Sequence, residues 1–432
     1  MQNASDLSPG VDIARRQCLR YAAGVCAGGW LGGCGGGGGG TPASKDLQQA
    51  GALALQAYGS WASPVEDLYA DLGFLYFPSV APRALLGQTL RQVAHLSLGG
   101  QGLRLQLSNS YGKSVLALQG VHVALSLGAD TIDPASDHAV HFAGQTQVQI
   151  APGALAWSDP VPLEVADGAD VAVSLYLQQA ADGATVHRFP LATQYVAPGN
   201  ALQAAHLAEA APHAERYWLS AIDVYRPQRC PVLATFGDSL SDGVGSSPGA
   251  NHRYPDYLAQ RLAHRAAVVN AGLAGNRWLH DAIGLRGVER WWRDVLGISG
   301  LSHAIVQMGA NDICFHHHWR VEEGVSLDAL CGAMRSAVVA GREVGVQLYL
   351  GTLAPFKGHW GFVPEDEVMR QAVNAWIRQG AHGAEVLDFD AALRDPSDPA
   401  ALHPAYRWID ALHLNDQGYQ RMADVVPLAR IH

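Results

Sequence analysis

The stretch Val232-Leu233-Ala234-Thr235-Phe236-Gly237-Asp238-Ser239-Leu240 decides how the chain is read. An apolar run without alternation stops abruptly at Gly-Asp-Ser. Such a run, bounded by turn residues, reads as a strand buried on both faces. The same grammar recurs downstream. Residues 267–270, 304–308, 346–350 and 385–389 read as further short strands, and helical patterns over 257–264, 327–344, 367–379 and 416–425 alternate with them. Strand–helix alternation predicts an α/β fold, a parallel sheet covered on both faces. Its ligands belong at the carboxyl ends of the strands, where Ser239 stands.

Working upstream, the period changes. Gln92-Val93-Ala94-His95-Leu96-Ser97-Leu98, Leu103-Arg104-Leu105-Gln106-Leu107, Val121-His122-Val123-Ala124-Leu125, Gln147-Val148-Gln149-Ile150 and the run 171–177 alternate apolar with polar or small residues. Gly, Pro, Asp and Asn separate them. This predicts half-buried antiparallel strands in a β-sandwich, jelly-roll-like. The domains expected are an export signal at 1–34, a Gly-rich linker at 35–59, a β-sandwich at 60–228 and an α/β domain at 229–432. At about 100–200 residues per domain, 432 residues suit such a division.

Three further blocks fall where the α/β pattern puts strand ends or the last helix start. Asn270-Ala271-Gly272-Leu273-Ala274-Gly275-Asn276-Arg277 follows the second strand, and Gly there lets backbone N–H approach a substrate oxygen. Gly309-Ala310-Asn311-Asp312 follows the third, and an Asn amide can hold an oxyanion. Asp410-Ala411-Leu412-His413 precedes the last helix. A carboxylate three residues before an imidazole can bond one ring nitrogen and leave the other free as a base toward Ser239. Taken singly, each block also reads as an ordinary cap or turn; their order and placement give them weight.

Together the four blocks resemble the SGNH/GDSL hydrolase (esterase/lipase) superfamily over residues 231–432. The resemblance implies a flavodoxin-like three-layer α/β/α domain. It also implies Ser239 as nucleophile, His413 as general base and Asp410 orienting His413. The oxyanion hole would be the N–H groups of Ser239 and Gly275 with the side chain of Asn311. No cofactor and no metal are needed. Residues 270–277, 351–356 and 389–396 resemble a bacterial branch with an N-terminal β-rich domain, whose Leu-Ser-Asn-Ser-Tyr-Gly-like element matches residues 107–112. Leu414 stands where that branch usually has Pro, and the stretch 314–320 is unusual for it. The function expected is a secreted or surface serine esterase acting on short acyl, chiefly acetyl, esters of carbohydrate. An arylesterase, short-chain lipase or lysophospholipase is the alternative, and a non-catalytic carbohydrate-binding surface protein the rival from another class.

Charge and composition exclude other classes. Arg and Lys total 29 against 39 Asp and Glu, a net charge of −10, and no basic patch marks a nucleic-acid partner. Arg15-Arg16 before a weakly apolar stretch resembles a twin-arginine export signal, and Leu31-Gly32-Gly33-Cys34 resembles a lipobox. Lipidation of Cys34, with a membrane tether, and simple cleavage both remain open; export from a bacterial cytoplasm is expected either way. Outside that segment, Cys314 with Cys331 is the candidate disulfide pair, against three ordinary buried thiols including Cys230. Gly245-Ser246-Ser247-Pro248-Gly249 fits a nucleophile elbow but lacks a preceding strand. His316-His317-His318 reads as pocket rim or solvated loop rather than metal site, since adjacent ligands rarely converge on one ion. Trp319, Phe356, Trp360 and Phe362 are either stacking platforms or core.

Overall fold

The computed structural model describes residues 55–70, 72, 85–380 and 383–431. The export signal, most of the linker, Cys34 and the aromatic residues Phe74, Tyr76 and Phe77 lie outside them. Residues from Ala54 onward form one compact unit.

Its α/β part is built on five parallel strands: Val232–Gly237, Ala267–Gly272, Leu301–Gln307, Gln347–Gly351 and Glu385–Leu387. Their spatial order is second, first, third, fourth, fifth. The chain reverses direction beside the first strand, so this strand sits at the switch point where an open parallel sheet forms its crevice. Val232–Gly237 is buried at every position, as the unbroken apolar run requires. The helix Tyr254–Leu262 buries Tyr254, Leu258 and Leu262 against one face, and Leu327–Glu343 buries Leu330, Met334 and Val338 against the other.

Several boundaries differ from the sequence reading, two of them where a carboxylate sets the end. The fifth strand stops at Leu387, because the Asp388 carboxylate accepts the Ala391 N–H and caps a helix, Phe389–Leu393. The third helix pattern begins earlier, at Pro364, where the Asp366 carboxylate accepts the Val363 N–H. The candidate disulfide is corrected: Cys230, Cys314 and Cys331 are free, buried thiols.

The upstream part is a β-sandwich of antiparallel sheets. One carries Gln56–Ala62, Leu219–Arg226, Leu103–Ser108 and Leu155–Trp157 in that order; the other is centred on Gln88–His95, Asp170–Leu177 and Gly120–Gly128. Leu90, Leu103, Leu105, Val121, Val123, Val173 and Leu175 fill the space between them. This core runs on without a break into the α/β part, where Val232, Ala267 and Val269 join it. Hydrogen bonds cross the same seam, from Gly59 N–H to Ser299 O at 2.9 Å and from Val268 N–H to Ser97 Oγ at 3.0 Å. Among the described residues no helix is long and apolar enough to cross a membrane.

Candidate active site

Ser239 opens a four-residue helix, Ser239–Asp242, directly after the first parallel strand. The turn into it demands glycine at 237: a Cβ there would lie 2.3 Å from Gln307 O. Asp238 caps the helix by accepting the Leu240 N–H at 3.1 Å. Its other carboxylate oxygen is buried without a partner, and burial pushes its carboxyl up to about 6.

Ser239 Oγ lies 2.8 Å from His413 Nε2, and His413 Nδ1 lies 2.5 Å from Asp410 Oδ2. The Asp410 carboxylate holds the imidazole by Nδ1–H, so Nε2 presents its lone pair to the Ser239 hydroxyl. The other oxygen of Asp410 accepts the N–H groups of Leu412 and His413 at 3.1 and 2.9 Å. This closes a tight turn with Ala411 at φ +61°, and the Trp408 N–H donates to the His413 carbonyl to secure it. Burial raises the Asp410 carboxyl, but its bonds to His413 and to the two N–H groups outweigh that and hold it well below the usual carboxylate range.

Gly275 lies in the left-handed region at φ +77°, in the turn after the second strand. Its neighbours are committed elsewhere. Ala274 N–H donates to Asp242 at 2.9 Å and Asn276 N–H to Leu273 O at 3.1 Å. Asn276 is tied at every polar atom of its side chain: its amide donates to Ile283 O and Leu285 O, and its oxygen accepts from the buried Arg290. That anchoring matters because the Asn276 carbonyl accepts one N–H of the Asn311 amide at 3.0 Å. Asn311 carries two amide hydrogens, so this bond orients the side chain and leaves the second.

Ser239, Gly275, Asn311, Asp410 and His413 all line one cavity of about 220 Å³. The remaining wall is apolar and aromatic: Phe189, Val244, Ala274, Phe315, Leu412, Trp360 and Trp408, with His359. Burial pushes His359 down to about 4, and its Nδ1 accepts the Gly361 N–H. It is therefore a neutral ring at ordinary pH. Trp360 and Trp408 are 51% and 37% exposed, so they form the mouth.

The structure thus brings together every site residue read from the sequence that it describes. The other candidates fall elsewhere. Ser247 bonds Asp416 on the surface, away from the cavity. In the His triplet, His317 pairs with Asp366 and His318 faces Gly361 O, and the described residues hold no group of three metal-ligating side chains. Of the four aromatic residues, Trp319 and Phe356 are buried core, and Trp360 alone lines the cavity. Phe189, Phe315, Trp408 and His359 were missed. Phe189 lies in the β-sandwich part, and nothing local in the sequence ties it to Ser239.

Residues 235–421 match the model of the GDSL-like Lipase/Acylhydrolase family. An acetylxylan esterase from Xylanibacter ruminicola is 24% identical over 229 residues, 49% of this chain; the chain spans 45% of the length of that relative. Among solved structures, a carbohydrate acetylesterase from Sinorhizobium meliloti is 18% identical with a TM-score of 0.34, covering 45% of this chain and 94% of that one. A member of the lipolytic protein G-D-S-L family from Veillonella parvula is 15% identical with a TM-score of 0.33, covering 45% and 96%. The match to the GDSL-like Lipase/Acylhydrolase family thus spans residues 235–421, the segment that carries Ser239, Gly275, Asn311, Asp410 and His413.

Proposed function

We propose that this protein is a serine esterase that removes short acyl groups, acetyl foremost, from carbohydrate. The observation that carries the reading is the continuous chain Asp410–His413–Ser239 at 2.5 and 2.8 Å, opening into a cavity that Gly275 and Asn311 also line. Ser239 Oγ attacks the ester carbonyl carbon while its proton passes to His413 Nε2. The carbonyl π electrons move to oxygen, and the N–H groups of Ser239 and Gly275 with the Asn311 amide hold that oxyanion. The C–O bond to the alcohol then breaks, and the leaving alkoxide takes the proton from His413. Water repeats the sequence on the acyl-enzyme and releases the acid. Asp410 stays ionised throughout and stabilises the transient imidazolium.

The small apolar cavity suits a short acyl group. The two exposed tryptophans at its mouth suit the flat apolar face of a sugar ring, since indole offers a large rigid surface beside water. The acetylxylan esterase relative supports the same substrate class. Export is part of the proposal and rests on Arg15-Arg16 and the Cys34 block, which lie outside the described residues.

Initial rates on p-nitrophenyl esters from acetate to octanoate, for the protein and Ser239→Ala, test this. A preference for acetate that the substitution abolishes, together with acetate release from acetylated xylan, is the expected result. A Ser239-dependent maximum at octanoate would make it a lipase or lysophospholipase. Absence of any Ser239-dependent hydrolysis would overturn the catalytic reading in favour of a binding protein.

A further inference from the structure

His187 ends the short strand Thr185–His187, which pairs with Glu66–Asp67 and Arg216–Tyr217 in the β-sandwich part. Its ring is buried, with an acceptor on each side. Nδ1 lies 2.8 Å from Pro64 O, and Nε2 lies 3.0 Å from Asp242 Oδ1. A carbonyl oxygen only accepts, so Nδ1 donates to it. The bond on the other side then requires its own proton, shared between Nε2 and the carboxylate. The second oxygen of Asp242 accepts the Ala274 N–H at 2.9 Å. Asp242 is the last residue of the helix that Ser239 begins, and Ala274 immediately precedes Gly275. A line of hydrogen bonds therefore runs from the β-sandwich into the turn that carries an oxyanion donor. His187 itself does not line the catalytic cavity.

The backbone leaves this line little slack. A Cβ at Gly272 would lie 2.2 Å from Asp242 N, so the end of the helix rests directly on the end of the second strand. What remains adjustable is the carboxylate. A buried carboxylate deprived of a donor turns toward another one. If Asp242 turns, Ala274 N–H loses its acceptor and the adjoining Gly275 N–H loses its aim.

We propose that His187 is a positioning residue for ester hydrolysis, fixing the Gly275 oxyanion donor through Asp242 and Ala274. The proposal rests on Ser239 acting as the nucleophile. A misplacement of about 1 Å in such a donor costs up to about a hundredfold in rate.

Two substitutions separate this role from simple structural support. In His187→Gln the amide nitrogen reaches the place of Nε2 and still donates to Asp242, while the bond to Pro64 O is lost. In His187→Asn the amide nitrogen takes the place of Nδ1 and keeps the bond to Pro64 O, while the donor to Asp242 is lost. The kcat and KM on p-nitrophenyl acetate are measured on the full chain, with turnover counted per Ser239 labelled to completion by a fluorophosphonate, and the Tm of each variant is recorded. Misfolded material then does not enter the rate. The expected result is a kcat in His187→Asn about ten- to a hundredfold down with KM within about twofold, and a kcat in His187→Gln within about threefold of the parent. Equal losses in both variants, losses that follow Tm, or no loss in either would overturn the proposal. Failure of the nucleophile reading is seen separately, as parental turnover that survives Ser239→Ala.

Discussion

Replacing Asn311 with Ala tests the oxyanion hole most directly. The side chain makes one bond inside the protein, to the Asn276 carbonyl at 3.0 Å, and borders the cavity with its remaining face. Its loss therefore has two separable effects. Removing one oxyanion donor costs about 10²–10³ in kcat, or about 2.7–4 kcal/mol of transition-state stabilisation. Leaving the buried Asn276 carbonyl unpaired costs about 1–3 kcal/mol of stability. The turn itself stays in place, because Arg290, Ile283 O and Leu285 O still hold the Asn276 side chain. Binding of the uncharged ester uses the apolar wall, so KM stays within about threefold. Asn311→Asp goes further down: it keeps the volume but sets a carboxylate against the developing oxyanion. The assay is initial rate on p-nitrophenyl acetate, with folded sites counted by Ser239 labelling. Turnover of Asn311→Ala within threefold of the parent, at full labelling, would refute the role.

Phe189→Ala opens the acyl wall from the β-sandwich side, and kcat/KM for butyrate or longer esters relative to acetate rises by about tenfold; an unchanged chain-length profile would remove Phe189 from the acyl site. Asp238, raised to about 6 by burial against about 3.9 in the unfolded chain, contributes stability that is full below about pH 4 and lost as pH rises through about 6. The Tm of the parent relative to Asp238→Asn should accordingly fall between pH 4 and 6, and a constant difference would contradict the raised carboxyl. Burial pushes Cys331 up to about 11 and also raises Cys230 and Cys314. Alkylation of the folded protein at pH 8, mapped by mass spectrometry, should spare all three, and a Cys314–Cys331 disulfide in the native protein would refute their free state.

Much of the α/β part was legible because its strands are buried on both faces. Val232–Gly237 has no solvated side to encode, so its run carries no alternation and its end is marked by the turn residues Gly237-Asp238-Ser239. The β-sandwich strands were legible for the opposite reason. Residues 103–107 alternate buried and half-buried positions, and apolar and polar residues alternate with them. Ser239, Asn311 and His413 stand at strand ends or beside a helix start, so order along the chain was enough to single them out as candidates. Boundaries were harder where a side chain decides them: Asp388 ends a strand by capping a helix, which no apolar period records. The cavity wall was not legible at all. Phe189 and Trp408 reach Ser239 across 50 and 169 residues of chain, and nothing local at either position specifies that meeting.

The segment from His187 to Leu191 explains why the α/β part should not work when cut free. His187 bonds Asp242, Phe189 lines the cavity beside Ser239, Pro190 O accepts from Arg253 at 3.0 Å, and Leu191 O accepts from Gly249 N–H at 2.8 Å. Four contacts in five residues bind the β-sandwich to the helix that Ser239 begins, the cavity wall and the loop beyond it. Behind them, Val232, Ala267 and Val269 belong to the sandwich core and are at most 1% exposed. A fragment of residues 229–432 would expose that apolar face to water and lose one wall of its pocket together with the donor on Asp242. Exposed faces of that kind drive association. Expressed alone, the fragment should be recovered as aggregate, or without turnover on p-nitrophenyl acetate, the smallest ester. A soluble monomeric fragment with parental kcat on that ester would show that the catalytic turn is held from within the α/β part, and that the shared core is dispensable for it.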